Sequence, residues 1–368
     1  LLEGFENIGT VNFRREMDFR REFIFMFAKR AVGVAVTLSL ALAFRSYWAL
    51  IIGTVASRAF GVALSYVMQS YRPRLSLAVW RELFGFSGWL FAMNVVAFLQ
   101  TRLSHFVIGR TQGAEALGIF TVSADVAALA SNEITAPINR AVMPGLSRIA
   151  EEPGRIGPGL LQVSIATQLI TMPAAFGLAA VAEPLVLTLL GQRWVAAIEP
   201  VQILAFAGAL QAVTAANHSA YLAVAKAHVP AVLSAVFVAA LIPLLYLLNP
   251  QGIVGVAWAQ LGAVAVYVTL NLVLMRRYFG VSLRTLMRAT SRCLLAASAM
   301  GALVYSLVES NFGLPSATFP IIVLLLGVAM GVASYLAILY GAWALAGHPA
   351  TPEAELFRRL RLRAGAQP

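Results

Sequence analysis

Apolar residues run along this chain in stretches of about 20, the length a helix needs to cross the hydrocarbon core of a bilayer, each closed by charge, Pro, Gly or Asn. Ten such runs are predicted as spans. In the first half they cover Phe23–Phe44, Tyr47–Gln69, Leu83–Ile108, Leu117–Met143 and Leu160–Leu190. The second half adds Val201–Val224, Val229–Leu248, Val254–Met275, Cys293–Val308 and Thr318–Leu345. The predicted fold class is therefore all-α: a polytopic membrane protein of about ten transmembrane helices.

The placement of Lys and Arg tests this division, because cytoplasmic loops collect them. Arg14, Arg15, Arg20 and Arg21 precede the first span; Arg72, Arg74 and Arg81 follow the second, and Arg148 and Arg155 the fourth. Lys226 follows the sixth, Arg276, Arg277, Arg284 and Arg288 the eighth, and Arg358, Arg359, Arg361 and Arg363 the tenth. The alternate loops hold Arg45, Arg110 and Arg193. Eighteen of the 27 basic residues thus fall on one side and three on the other. A wrong span count would scramble the alternation, so both visible ends are placed in the cytoplasm.

Composition agrees: of 368 residues, 60% are hydrophobic and 12% charged, and mean hydropathy is +0.80. A soluble domain carries about 25% charged residues. The net charge of +11 would fit a nucleic-acid partner if a basic domain stood apart from the spans; none does, and the charge is topological. One cysteine, Cys293, excludes an intrachain disulfide framework and any cysteine-based metal site.

The ends are short and charged. The sequence opens Leu1-Leu2-Glu3-Gly4 with no initiator Met, basic n-region or cleavage site, which predicts an N-terminally incomplete protein. Residues 1–22 pair Glu16 with Arg20 and Arg14 with Asp18 at i,i+4, suited to a short cytoplasmic interfacial helix. In the tail, residues 347–368, Thr351 reads as an N-cap with Pro352 at N1, and the arginines from Arg358 to Arg363 complement the helix C-terminus. A solvated basic helix on anionic lipid accounts for it.

Six basic residues remain inside spans. An ionisable group at membrane depth costs at least about 2.5–3.5 kcal/mol, which makes each a functional candidate. Lys29 and Arg30 lie in the first span, Arg58 near the middle of the second, Arg102 and His105 in the third, Asp125 and Glu133 in the fourth, Arg140 near its cytoplasmic end, His218 in the sixth and Arg292 at the edge of the ninth. Interior cations outnumber acids, and guanidinium grips phosphate oxygens two at a time, so a bundle with these residues is suited to an anionic ligand. Arg58, Arg30, Lys29, Arg102 and Arg140 are the candidate cations for binding such a ligand. Asp125, Glu133 and His105 are candidates for proton or ion coupling, or for ion pairing.

Structural explanations stand beside these. Lys29 and Arg30 are near enough to the surface to snorkel. Arg58 could pair with an acid such as Asp125, and Arg102 and His105 could gate or hold a structural hydrogen bond. His218 fits a hydrogen-bonded packing residue. Pro137, Pro144, Pro173 and Pro243 permit bends, and Gly327 with Gly331 forms a small-xxx-small pair for close helix packing. There is no phosphate-binding G-x-x-x-x-G-K-[ST] loop, no H-E-x-x-H and no G-x-S-x-G. No cofactor, metal site or catalytic residue is predicted, and the chain is not expected to be an enzyme.

The stretch Leu103–Ile149, with its Gly109-Arg110 pair, Gly118-Ile119-Phe120 and closing Pro144, Ser147 and Arg148, resembles two consecutive helices of Wzx-type oligosaccharide flippases of the multidrug/oligosaccharidyl-lipid/polysaccharide (MOP) exporter superfamily. Gly191, Trp194 and Ala197 match a second pattern of that family. The opening NFRREMDFRREF, residues 12–23, is similar to the basic region after the fourth helix in the lipopolysaccharide and polysaccharide exporter branch. Where members often carry an Asp, this chain has Ser104 and His105, which puts ion coupling there in doubt.

The resemblance implies a bundle of two six-helix lobes with two further helices at the end. The ten spans would then be the fifth to fourteenth helices: residues 23–69 the remainder of the first lobe, 83–275 the second lobe and 289–346 the additional pair, without the first four helices. It implies flipping of an undecaprenyl-pyrophosphate-linked oligosaccharide from the cytoplasmic to the periplasmic leaflet of a bacterial inner membrane by alternating access, for surface polysaccharide biosynthesis. The lipid-linked oligosaccharide, anionic lipids and a polysaccharide polymerase machinery are the expected partners. Two alternatives stay open. A cation-coupled small-molecule or multidrug antiporter would need more cavity acids, and a polytopic enzyme acting on lipid-linked sugars would need a large external loop.

Overall fold

The computed structural model of the protein describes residues 2–15, 18–69, 71, 80–131, 135, 156–224, 226, 228–310 and 320–345. Eight runs among them are long and apolar enough to cross a membrane: Arg20–Phe44, Trp48–Met68, Phe91–Thr111, Ile156–Ala180, Gln192–Ala223, His228–Phe279, Leu283–Glu309 and Pro320–Ala344. The chain is an all-α polytopic membrane protein. The 52-residue run His228–Phe279 holds two of the expected spans, because a 3-10 turn at Asn249–Gln251 and Gly252, at φ +76°, break it in the middle. The expected span Leu117–Met143 corresponds to a 17-residue helix, Gly113–Leu129; most of the rest of that expectation, with Glu133 and Arg140, lies outside the described residues, as do Pro137, Pro144 and the basic tail.

The chain forms two compact units, Leu1–Ser87 and Gly88–Pro368. In the first, 3-10 turns at Leu2–Phe5 and Ile8–Thr10 lead into a short helix α1 (Val11–Arg15) and then the long helices α2 (Phe19–Phe44) and α3 (Trp48–Met68). Asp18 caps α2, accepting from the Arg21 amide at 3.1 Å, and its carboxylate also meets the Arg21 side chain at 3.2 Å. The helix ends where Arg45 turns left-handed, at φ 47°. The three-residue link that follows makes α2 and α3 an antiparallel hairpin. Without a hydrophobic drive between helices in lipid, small residues must let the backbones touch. A Cβ on Gly33 would meet the Ser57 side chain at 2.9 Å, and one on Gly53 would fall on Thr37. Ser57 Oγ donates to the Lys29 carbonyl at 2.8 Å, tying the two backbones together.

The opening segment does not stay apart from this hairpin. Asn7 is 1% exposed; its backbone N–H donates to Ser65 Oγ at 2.9 Å and its side-chain amide to the Tyr71 carbonyl at 2.7 Å. The expected interfacial segment is thus partly folded onto α3 by one buried asparagine.

The second unit contains α4 (Trp80–Thr111, from residue 88 onward), α5 (Gly113–Leu129), α6 (Ile156–Ala180), α7 (Ala182–Leu189), α8 (Ile198–Ala212), α9 (Asn217–Ala223), α10 (His228–Leu248), α11 (Gly252–Phe279), α12 (Leu283–Glu309) and α13 (Pro320–Leu345). One apolar core joins Ile108, Phe120, Leu204, Phe237, Leu241 and Val264 across α4, α5, α8, α10 and α11. Another joins Leu169, Met172, Ala209, Cys293, Met300 and Leu339 across α6, α8, α12 and α13. Gly327 and Gly331 serve the close packing that their spacing predicts, since side chains there would meet Val181, Val304 and Met300. Pro173 and Pro243 lie inside α6 and α10.

Candidate functional site

Three of the charged residues singled out in the sequence line one groove of the first unit. Lys29 and Arg30 on α2 and Arg58 on α3, with Thr37, Thr54 and Ser57, border a hollow of about 430 Å³. The small residues that bring the helices together also bring the charges together: Gly33 and Gly53 line the same hollow. Arg30 and Arg58 are exposed, whereas Lys29 is half-buried. Its ammonium forms an ion pair with Glu6 and sits 5.6 Å from the centre of the Phe25 ring. Lys29 therefore neither snorkels bare nor stands as a lone cation: the opening segment supplies its counter-ion. A second hollow of about 490 Å³ shares Lys29, Arg30 and Ser57 and adds Glu6 and Glu22. Arg30 thus faces cation-rich space on one side and carboxylates on the other.

In the second unit Arg102 and Asp125 are exposed on α4 and α5. His105, one turn from Arg102, is within electrostatic reach of both and packs edge-on against Phe120, ring centres 5.5 Å apart. These three form one small charged cluster between neighbouring helices. It is apart from an apolar groove of about 610 Å³ between α6, α12 and α13 bordered by residues such as Ile170, Pro173, Val304 and Val332.

A third hollow of the second unit, about 200 Å³, is lined by the polar side chains Ser131, Thr135, Gln211, Thr214, His218 and Tyr267. Of these, only His218 is a sequence candidate, and the structure places it exposed at this pocket rather than in packing. The signal was present: Gln211, Thr214, Asn217 and His218 follow one another at intervals of three and one in an otherwise apolar span. Beside the pocket residue Tyr267, Asn271 Oδ1 accepts from Asn217 Nδ2 at 2.9 Å and from the Tyr221 hydroxyl at 3.2 Å. Among the described residues no group of three or more His, Cys, Asp or Glu side chains is placed to hold a metal ion.

Comparison with known proteins bears on this geometry. A family profile described as Polysaccharide biosynthesis protein matches residues 1–199. The teichuronic acid biosynthesis protein TuaB of Bacillus subtilis (strain 168) is 26% identical over 147 residues, 40% of this chain and 30% of that protein. The lipopolysaccharide biosynthesis protein WzxC of Escherichia coli (strain K12) is 29% identical over 161 residues, 43% of this chain and 32% of that protein. The succinoglycan biosynthesis transport protein ExoT of Rhizobium meliloti (strain 1021) is 23% identical over 182 residues, 49% and 37% of the two chains. The chain thus spans about a third of the length of these curated relatives. Among solved structures, the lipid II flippase MurJ in an inward closed conformation has a similar fold, with a TM-score of 0.71 at 13% identity over 86% of this chain and 67% of that one.

Proposed function

Because this chain belongs to the polysaccharide biosynthesis protein family, whose profile covers residues 1–199, we propose that it serves to flip an undecaprenyl-pyrophosphate-linked oligosaccharide from the cytoplasmic to the periplasmic leaflet by alternating access. Both visible ends then lie in the cytoplasm, where the arginine-rich loops belong. The observation that carries the reading is the convergence of Lys29, Arg30 and Arg58 on one groove of an otherwise apolar hairpin. A phosphate group leaving water loses solvation that only charged hydrogen-bond donors restore. Arg30 and Arg58 supply two planar forks for its oxygens. Lys29, held by Glu6, contributes to the local potential and is released to the ligand when Glu6 is displaced. The names of the relatives, which concern lipopolysaccharide, succinoglycan and teichuronic acid, support a saccharide cargo, and a polymerase acting on the delivered repeat unit is the natural partner.

Replacing Arg58 by Ala together with Arg30 by Ala in the chromosomal protein tests this. Surface polysaccharide is expected to disappear and the lipid-linked intermediate to accumulate in the inner leaflet. Normal export by a well-expressed double variant would remove the groove from the mechanism.

A further inference from the structure

We propose that the small pocket of the second unit is a binding site for one neutral sugar ring, separate in chemistry from the cationic groove. A water occupies about 30 Å³ of liquid, so the 200 Å³ of this pocket takes roughly six or seven waters, the bulk of one pyranose rather than of an oligosaccharide. Its lining carries hydroxyls, an amide, an imidazole and a phenol, with no Lys, Arg, Asp or Glu among the described residues that border it. Among the described residues an anion would find no counter-charge there beyond His218, whereas a polyol would find several partners.

The hydrogen-bond pattern is complementary to a polyol. Thr135 Oγ1 donates to the Ser131 carbonyl at 2.9 Å and Thr214 Oγ1 to the Gln211 carbonyl at 3.3 Å. With their protons engaged, these hydroxyls offer lone pairs, which suit the O–H groups of a sugar. The Gln211 amide and the His218 imidazole add both donors and acceptors. The Tyr267 ring, packed edge-on against Phe237 with centres 6.4 Å apart, supplies an aromatic surface for the C–H face of a pyranose.

The site is built on a fixed floor. Tyr267 neighbours Asn271, which is itself fastened by Asn217 and Tyr221, and both asparagines are at most 1% exposed. Gly208 leaves room for the wall: a Cβ there would lie 2.8 Å from Ser131 Oγ, so even alanine would displace the Ser131 side chain from its place in the lining. A site preorganised to hydrogen-bond a hydroxyl rejects ligands that lack it, which would let the pocket select among repeat units. The inference rests on the proposed transport of a saccharide-bearing lipid only for the class of its ligand.

The test is equilibrium binding of tritiated neutral disaccharides (chitobiose, lactose and a rhamnose-terminated one) to the chain in nanodiscs, with undecaprenyl pyrophosphate measured in parallel. At least one disaccharide is expected to bind, with affinity falling about ten-fold in Gln211→Ala, His218→Ala and Gly208→Ala, and returning close to the starting value in His218→Gln. Inorganic pyrophosphate should not displace the sugar. Absence of binding by all three disaccharides, equal binding by the variants, or displacement by pyrophosphate would each overturn the assignment. Sugar binding by a chain that does not bind undecaprenyl pyrophosphate would instead refute the role of the groove and leave the pocket standing.

Discussion

The two units use membrane-length helices in opposite ways. In the most apolar stretch of α2 only 11% of residues are buried within the protein, against 56% in α6 of the second unit. The hairpin of the first unit packs α2 closely on α3, presents Phe23, Leu42 and Val67 outward and concentrates charge along a shallow seam. The second unit buries broad faces of α6, α8, α11 and α12 around two apolar cores, and its interior polarity is neutral: Asn217, Asn271, Gln168, Thr167 and Thr171 are all buried. Charge is tolerable where side chains remain at an open surface, while a closed interior requires neutral groups that satisfy one another. The difference teaches where each chemistry can sit. The exposed seam can hold charged side chains, and the packed lobe holds neutral ones.

The seam should break first and hardest. At Gly53 a larger side chain has nowhere to go, because its Cβ would overlap the Thr37 side chain and approach Thr37 Cα to 3.1 Å. Gly53→Leu is expected to part α2 from α3, abolish the groove and leave little folded protein in detergent extracts, as measured by size-exclusion yield. Gly341→Leu, at a site with no atom within 4 Å of the added Cβ, should be recovered at the level of the unchanged chain. Equal yields from the two would show that close approach does not hold the hairpin.

The second unit should lose less, and through hydrogen bonding rather than shape. Asn271→Leu preserves bulk yet leaves Asn217 Nδ2 and the Tyr221 hydroxyl without their acceptor. Orphaning a buried donor costs about 1–3 kcal/mol, so a loss on the order of 2–4 kcal/mol is expected for the pair. It would appear as a clear fall in the thermal midpoint in detergent, while the seam variant Ser57→Ala should move it less. An unchanged midpoint for Asn271→Leu would mean that the buried network carries no stability.

Much of this was legible in the sequence, for a physical reason. A bilayer imposes a local rule, about 20 apolar residues per crossing, so hydropathy locates α2, α3, α12 and α13 without knowledge of their neighbours. The same rule marks Lys29, Arg30 and Arg58, because each charge at depth demands a partner or a purpose. Their meeting in one groove was not legible, since it depends on which faces Gly33, Gly53 and Ser57 turn toward each other. Nor was the Glu6 partner of Lys29, 23 residues away in a segment whose i,i+4 pairs pointed to an independent helix. Asp18 meets Arg21, and the buried Asn7 that anchors the segment has no periodicity to betray it. The polar pocket escaped for another reason. Neutral residues carry a small insertion penalty, so Ser131, Gln211 and Tyr267 raise no alarm individually, and only the packing of α8 and α11 beside the end of α5 assembles them.

The gentlest way to sharpen the contrast is to remove the carboxylate that pairs with Lys29 in the seam. Glu6 and Lys29 are both partly accessible, at 20% and 22% of side-chain surface, where an ion pair contributes little to stability. Glu6→Gln should therefore leave the folded yield unchanged while freeing a positive charge beside Arg30. If the seam binds pyrophosphate, its affinity for inorganic pyrophosphate, measured by calorimetry in nanodiscs, should rise about two- to five-fold, the range of a surface ion pair. The gain should shrink as salt is raised, because screening acts on accessible charges. The neutral pocket, whose described lining residues all belong to the second unit, should show no change in disaccharide affinity. Weaker pyrophosphate binding in Glu6→Gln would mean that the carboxylate organises the groove instead of competing with its ligand, and the division between an ionic seam and a neutral lobe would have to be redrawn around Glu6 as part of the site.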